Sequence, residues 1–139
     1  GKGTLLDIGT NVPLIASWRG KIKAGAQSDA LVDFSDWLPT LVEVAGGHME
    51  RKVDGRSFAS TLFNPDSEPR RKYAFAESRG KRAWVRTQQY KLYNNGQYFD
   101  VNADPFEKTP LTGITGDAAE EQEFLESALK RLELPRHEK

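Results

Sequence analysis

The sequence has no cysteine, one methionine and two histidines among its 139 residues. The lack of cysteine excludes disulfides and thiolate metal sites, so a nucleophile within this chain would be a Ser or Thr that needs a base. No apolar run approaches the roughly 18 residues of a membrane-spanning helix, so we expect no membrane contact. The 20 basic and 20 acidic residues balance, which disfavours a nucleic-acid-binding surface.

The stretch 73–104 carries the clearest fold signal. Short apolar and aromatic runs alternate there with turn residues. Asn94-Asn95-Gly96 suits either a primed hairpin turn or a three-residue turn with a bulge, because Asn and Gly tolerate positive φ. The simplest topology is a four-stranded antiparallel meander. Its apolar face needs a cover, so the sequence predicts an α+β fold with helices packed against the sheet.

Two helices are predicted to supply that cover. The first would be capped by Ser35 or Asp36, carries Pro39 in its first turn, and ends at Gly46-Gly47. The second is predicted over 117–134, where acidic residues come early and basic residues come late, as the helix dipole favours.

An unusual apolar run lies at Val12–Trp18. Its apolar residues are nearly unbroken, which indicates a strand buried on both faces. A single meander offers no such place, so we predict that this strand belongs to a larger sheet. An exposed apolar edge strand also invites pairing with a second copy, so an edge-strand dimer is a further expectation.

Few residues offer catalytic chemistry by themselves. His48 follows a helix end and His137 lies in the tail, and neither has a second ligand at metal spacing. Lys2 stands in a glycine-rich segment and, taken alone, is a mobile surface charge.

Other charged residues are interpreted as structural. Asp100 and Asp104 frame the end of the meander and suit turns, because Asp accepts backbone hydrogen bonds there. The basic runs Arg70-Arg71-Lys72 and Lys81-Arg82 are interpreted as solvated strand ends.

Five blocks, in order, resemble the sulfatases of the alkaline-phosphatase superfamily. They are Gly1–Ile22, similar to G-K-G-T-x-[YF]-E-G-G-x-R-x-P-x-I-x-x-W-P-G-x-I; Asp36–Gly46, similar to D-L-x-P-T-L-x-x-x-A-G; Asp54–Ser57, similar to D-G-x-S; Val85–Leu92, similar to V-R-x-x-x-Y-K-L/Y; and Tyr98–Glu107, similar to L-Y-D-L-x-x-D-P-x-E. Each block is weak alone, but the ordered set is fairly specific.

The resemblance implies an enzyme that hydrolyses sulfate esters of small molecules or glycans. In this family a formylglycine, made from the Cys or Ser of a C/S-x-P-x-R motif, attacks sulfur, and a divalent metal, usually calcium, polarises the sulfate oxygens. Lys2 matches the family lysine that contacts the sulfate and stabilises the leaving oxygen, a task that suits a compact ammonium. Secretion or periplasmic export is usual for such enzymes and is expected here.

The family's nucleophile motif, metal ligands and histidines lie N-terminal to these blocks, so this chain is expected to lack them and to be inactive alone. The sequence opens on Gly1 rather than Met, so we expect the natural start to lie upstream. Residues 1–27 are predicted to be the end of a catalytic α/β domain, and residues 28–139 to form a C-terminal α+β subdomain. The segment Gly1–Asn11 is then expected to be mobile. Ile8 and Asn11 depart from the family's Gly and Arg.

Two alternatives stay open. A phosphoester or phosphonate hydrolase of the same superfamily would share the architecture and differ in its nucleophile segment. A stand-alone interaction domain would instead have a natural start near Gly1 and a well-ordered N-terminus.

Overall fold

The computed structural model describes residues 3–78 and 82–132. In chain order the elements are α1 (Asp7–Thr10), a 3-10 helix (Phe34–Asp36), α2 (Trp37–Val44), α3 (Ala59–Phe63), β1 (Ala74–Glu77), β2 (Ala83–Arg86), β3 (Tyr90–Tyr93), β4 (Tyr98–Asp100) and α4 (Asp117–Arg131). They fall into two compact units, residues 3–13 with 73–132, and residues 14–72. None of the described helices is both long and apolar enough to cross a bilayer.

The strands form one antiparallel sheet in the order β1-β2-β3-β4. Val85 lies opposite Phe75 on one side and Leu92 on the other, and Leu92 lies opposite Tyr98. The predicted four-stranded meander is therefore confirmed. The prediction could succeed because alternating turn and apolar segments determine both strand order and register.

The turn between β3 and β4 is the three-residue alternative. Gly96 has φ +86°, and neither Asn94 nor Asn95 has a positive φ. The Gly96 N–H donates to the Tyr93 carbonyl at 2.9 Å, and the Tyr93 N–H donates to the Gln97 carbonyl at 2.9 Å. A primed turn of type I′ would need positive φ at two central residues, so the bulged form is the one adopted.

Each face of the sheet buries an apolar cluster. On one face α4 packs Leu125 and Ala128 against Val85 and Leu92, so this helix covers the sheet as predicted. On the other face Trp84, Tyr93, Phe99 and Val101 pack with Ala74, and Leu5 packs against them. The predicted end of this helix at residue 134 lies outside the described residues.

In the unit formed by residues 14–72, the cap differs from the prediction. Asp33, not Ser35 or Asp36, caps the 3-10 helix that leads into α2, and it accepts the Ser35 N–H at 2.9 Å. The fully buried Asp36 carboxylate completes a capping box by accepting the Asp33 N–H at 2.8 Å, and it also binds the guanidinium of Arg71. Asp36 therefore does serve the helix start, as predicted, although the N-cap residue itself is Asp33. Gly46, with φ +80°, ends α2 as predicted.

The strand predicted over Val12–Trp18 does not form in the described chain. These residues have no ladder partner within 3–78 and 82–132, and Ile15 is 88% exposed. An apolar run becomes a strand only when a neighbouring strand satisfies its backbone groups. Membership of a larger sheet, the edge-strand dimer and the domain boundary near residue 27 stay predictions.

Candidate functional site

The segment Gly3–Asn11 directly follows Lys2, which itself lies outside the described residues. The described part of this segment has a hydrogen-bonded backbone. It contains a helical turn, α1, closed by a hydrogen bond from the Asn11 N–H to the Asp7 carbonyl at 2.7 Å. The expectation that this segment is mobile is wrong for its described residues, because it assumed no contacts with the meander.

The Asp7 carboxylate attaches α1 to the sheet through Arg86 at the end of β2. The Arg86 guanidinium donates to Asp7 Oδ1, and its other nitrogens donate to the carbonyls of Thr87 and Gln88, each at 2.9 Å. Asp7 and Arg86 are both about nine-tenths buried. Two backbone carbonyls therefore orient the guanidinium that holds the carboxylate.

Lys91 lies in the middle of β3 with its side chain fully buried. Its ammonium donates to the Leu5 carbonyl and to Glu107 Oε1, each at 2.7 Å. It also lies 4.7 Å from the ring centroid of Trp84 and 5.1 Å from that of Tyr93. A buried ammonium is tolerated only when acceptors and π faces replace water, and here both are present.

Glu107 collects three donors on one carboxylate whose side chain is 1% exposed. They are the Lys91 ammonium, the Tyr93 hydroxyl and the backbone N–H of Asp7, the last at 2.7 Å. Glu107 has φ +53°, and it alone among the described non-glycine residues has a positive φ. The left-handed backbone is costly for a residue with a Cβ and persists where surrounding contacts demand it.

The turn before Glu107 fixes this conformation. The Asp104 carboxylate accepts the N–H groups of Lys108 and Thr109 at 2.6 and 2.9 Å, and the Glu107 N–H donates to the Asp104 carbonyl at 3.0 Å. The interpretation of Asp104 as a turn residue is confirmed.

Burial shifts the titration of these groups. Burial lowers the pKa of Lys91, and the hydrogen bond and charge of Glu107 oppose that shift. Burial raises the pKa of the Tyr93 hydroxyl, and the neighbouring Glu107 carboxylate raises it further. The arrangement therefore favours a neutral Tyr93 whose hydroxyl donates a hydrogen bond to Glu107.

The other candidate residues are structural or exposed. His48 is exposed after α2, and His137 lies outside the described residues. Asp100 accepts the N–H groups of Asn102 and Ala103 at 3.0 and 2.9 Å, as predicted for a turn. Burial raises the pKa of Asp100, but hydrogen bonds led by that from Gln89 outweigh this and lower it. Within residues 3–78 and 82–132 no group of acidic and histidine side chains could hold a metal ion.

The sequence suggested that the basic run Arg70-Arg71-Lys72 is solvated. In the structure each of its residues pairs with an acidic side chain. Arg70 pairs with Glu43 and Lys72 with Glu68, both at exposed positions. The Arg71 side chain is only 8% exposed and binds Asp36. Arg82, in the second basic run, is exposed, and Lys81 lies outside the described residues.

One literal match to C/S-x-P-x-R does occur in this chain, at Ser67-Glu68-Pro69-Arg70-Arg71, so the expectation that the pattern is absent is wrong. The Ser67 N–H donates to the Asn64 carbonyl at 3.0 Å in an irregular loop, and the Arg71 guanidinium is occupied by Asp36. Because the described residues offer no metal-ligand cluster, the match lacks the surroundings of a sulfatase centre.

Comparison with known proteins identifies the family. The family described as N-sulphoglucosamine sulphohydrolase, C-terminal, matches residues 2–134. The chain belongs to the sulfatases. It corresponds to their C-terminal part, and the α+β subdomain predicted from sequence is confirmed.

Individual sulfatases are similar over most of the chain. The chain is 31% identical over 131 residues to an N-acetylglucosamine-6-O-sulfatase of Bacteroides thetaiotaomicron, covering 83% of this chain and 24% of the relative. It is 33% identical over 114 residues to arylsulfatase A of Homo sapiens, covering 76% of this chain and 22% of that protein. The chain thus spans less than a quarter of either relative.

A solved structure of a protein in complex with its substrate D-glucosamine-2-N,6-O-disulfate is also similar. The TM-score is 0.63 at 28% sequence identity, and the match covers 81% of this chain and 26% of that one.

Residues from separate sulfatase blocks of the sequence contact one another in the structure. Asp7, Arg86, Lys91 and Glu107 come from three blocks and meet in one buried network. Sequence reasoning quoted these residues but assigned them no role. The sequence did contain one signal for this network. Side chains two residues apart on a strand lie on the same face of the sheet, so Lys91 could have been placed beside Tyr93.

The remaining blocks meet in the unit of residues 14–72. The Asp36 carboxylate accepts the Arg56 N–H at 2.6 Å, and Thr40 Oγ1 accepts the Phe58 N–H at 3.0 Å. The D-L-x-P-T-L and D-G-x-S blocks of the sulfatase pattern therefore stabilise one another.

Proposed function

We propose that the chain forms the C-terminal part of an enzyme that hydrolyses sulfate esters with a formylglycine nucleophile and a divalent metal. The observation that carries this proposal is the family match over residues 2–134, which begins at Lys2. Two similar proteins carry N-acetylglucosamine-6-O-sulfatase and D-glucosamine-2-N,6-O-disulfate in their descriptions. A sulfated sugar or glycan is therefore the substrate class we propose.

In this proposal Lys2 contacts the sulfate group and stabilises the leaving oxygen. An ammonium is a compact charge with several donors, and it acts strongly where negative charge develops away from bulk water. Such a group must be held in place before reaction. The attachment of Gly3–Asn11 to the sheet supports this role, because it fixes the chain immediately after Lys2.

The nucleophile and the metal, calcium by resemblance, would come from other parts of the protein. Calcium takes six to eight oxygen ligands, and the described residues do not fit it. Asp7 is bound to Arg86, and Glu107 is bound to Lys91 and Tyr93. The 139-residue chain alone is accordingly predicted to be inactive. Secretion or periplasmic export follows from the resemblance only and stays a prediction.

The test compares sulfate and phosphate esters with the intact protein. We expect hydrolysis of 4-nitrophenyl sulfate or glucosamine 6-sulfate, loss of activity with EDTA, and recovery with calcium. The separate 139-residue chain serves as the negative control. Hydrolysis of 4-nitrophenyl phosphate alone would establish the phosphoester alternative, and a folded intact protein that cleaves none of these esters would contradict the proposal.

A further inference from the structure

We propose that Arg86, Lys91, Tyr93 and Glu107 form a clasp that sets the position of Gly3–Asn11 and, through it, of Lys2 at the sulfate. This inference rests on the proposed function. None of the clasp side chains is proposed to touch the substrate, so all are positioning residues.

The clasp binds the main chain of the segment. Lys91 Nζ donates to the Leu5 carbonyl at 2.7 Å, and the Asp7 N–H donates to Glu107 Oε1 at 2.7 Å. The Tyr93 hydroxyl lies 3.1 Å from the same Leu5 carbonyl. Main-chain contacts fix the path of the backbone independently of the side chains that the segment carries.

A second attachment uses the Asp7 side chain. Asp7 bonds to Arg86 Nη1, while Arg86 Nε and Nη2 donate to the carbonyls of Thr87 and Gln88. The segment is therefore held at Leu5 by a lysine and at Asp7 by both a glutamate and an arginine. Arg86 comes from β2, Lys91 from β3 and Glu107 from the turn after β4, so rotation about a single contact is blocked.

Stability alone is a poor explanation for this arrangement. A buried ion pair contributes little net stability compared with apolar residues of similar volume. Here the chain buries the Lys91–Glu107 pair and also holds Glu107 at φ +53°, a conformation that is unfavourable for a residue with a Cβ. What these energetically unfavourable features provide is a fixed position for the segment Gly3–Asn11.

That geometry reaches Lys2 through a short link. Only Gly3 and Thr4 separate Lys2 from Leu5, so their Cα atoms lie at most about 11 Å apart, since consecutive Cα atoms are about 3.8 Å apart. Displacement of a catalytic group by about 1 Å costs up to about a hundredfold in rate. Loosening the clasp is therefore expected to lower catalysis through Lys2.

The experiment uses Tyr93→Phe and Glu107→Gln in the intact protein, with Tyr98→Phe as matched control. Tyr98 is a buried sheet tyrosine whose hydroxyl donates to the Ala118 carbonyl at 2.9 Å, away from the clasp. Hydrogen exchange of peptides covering 3–11 and steady-state kinetics on a sulfate ester are measured in parallel. We expect both clasp variants to raise exchange in 3–11 and to lower kcat about tenfold with little change in KM; Tyr98→Phe should do neither.

A Lys2→Ala background separates positioning from general damage. If the clasp acts through Lys2, Tyr93→Phe should change kcat less than about twofold in that background, because coupled residues are non-additive. Equal kcat losses with and without Lys2, an equal loss in Tyr98→Phe, or unchanged exchange in 3–11 would each overturn the inference. If the wild-type intact protein cleaves no sulfate ester, the proposed function fails, and the exchange measurement still decides whether the clasp holds the segment.

Discussion

The ammonium of Lys91 lies 2.7 Å from the carboxylate of Glu107, and both side chains are withdrawn from water. Each group is the main charge partner of the other, and each also binds the backbone of the segment after Lys2. Removing either charge leaves the other buried without its partner, which is far more costly than removing both.

We predict a strong energetic coupling between these two residues. Glu107→Gln should lower the free energy of unfolding by about 3–5 kcal/mol. Lys91→Met combined with Glu107→Gln should cost clearly less than the sum of the single variants, as measured by urea unfolding in a double-mutant cycle.

The exposed pair Lys72–Glu68 is the control for that cycle. Lys72→Met should leave the free energy of unfolding nearly unchanged, because water screens exposed pairs. Additive effects of Lys91→Met and Glu107→Gln would contradict the coupling.

The sheet and α4 could be predicted from sequence, because turn residues, alternation and helix-end charges are local signals. The clasp could not be predicted from the sequence. Arg86 lies 79 positions from Asp7, and Lys91 lies 86 positions from Leu5. No local pattern records such pairings, and the sequence suggested a mobile segment where the structure holds one in place.

The irregular conformation of Val12–Trp18 within this chain has a related cause. Its composition suits a strand, but strand formation depends on a partner that the sequence pattern does not specify. Asp36 shows the same limit: its role at the helix start, where it accepts the Asp33 N–H, is a local signal, but its ion pair with Arg71, 35 positions away, is not.

A second prediction concerns Gly55. A Cβ at this position would lie 1.9 Å from the Ser35 carbonyl oxygen, a backbone atom that has little freedom to move. Gly55→Ala should therefore destabilise the protein by about 3 kcal/mol or more. Gly25, with φ +69° and nothing near its missing Cβ, is the control, and Gly25→Ala should cost only about 1 kcal/mol. Equal shifts of the two variants in thermal unfolding would show that the close approach at Gly55 is unimportant.

Alkaline pH should destabilise the protein through its buried tyrosines. Burial raises the pKa of Tyr93 and of Tyr98 in the folded state. Their contribution to stability is fully present below the unfolded value of about 10 and is lost as pH rises above it, by up to about 1.4 kcal/mol per pH unit for each tyrosine.

The measurement is the free energy of unfolding between about pH 10 and pH 11.5. Tyr93→Phe and Tyr98→Phe should each flatten the decline seen in the wild type. An unchanged slope in both variants would mean that these hydroxyls do not keep their protons in the folded protein.

Ser67 provides a test of where the nucleophile lies. Because no metal-ligand cluster surrounds it among the described residues, we expect Ser67 to remain serine in the intact protein. Conversion to formylglycine would remove two hydrogen atoms, which peptide mass spectrometry detects. A modified Ser67 would place the nucleophile in this chain and contradict the proposal that it lies elsewhere.

The central claim is tested most directly by the dependence of rate on the leaving group. The intact protein, Lys2→Ala and the control Lys23→Ala, at an exposed position, are compared on aryl sulfates whose phenols span a range of pKa. If Lys2 stabilises the leaving oxygen, Lys2→Ala should lose progressively more rate as the phenol becomes a poorer leaving group, and Lys23→Ala should follow the wild type. A uniform loss across all phenols, or no loss, would contradict the role assigned to Lys2.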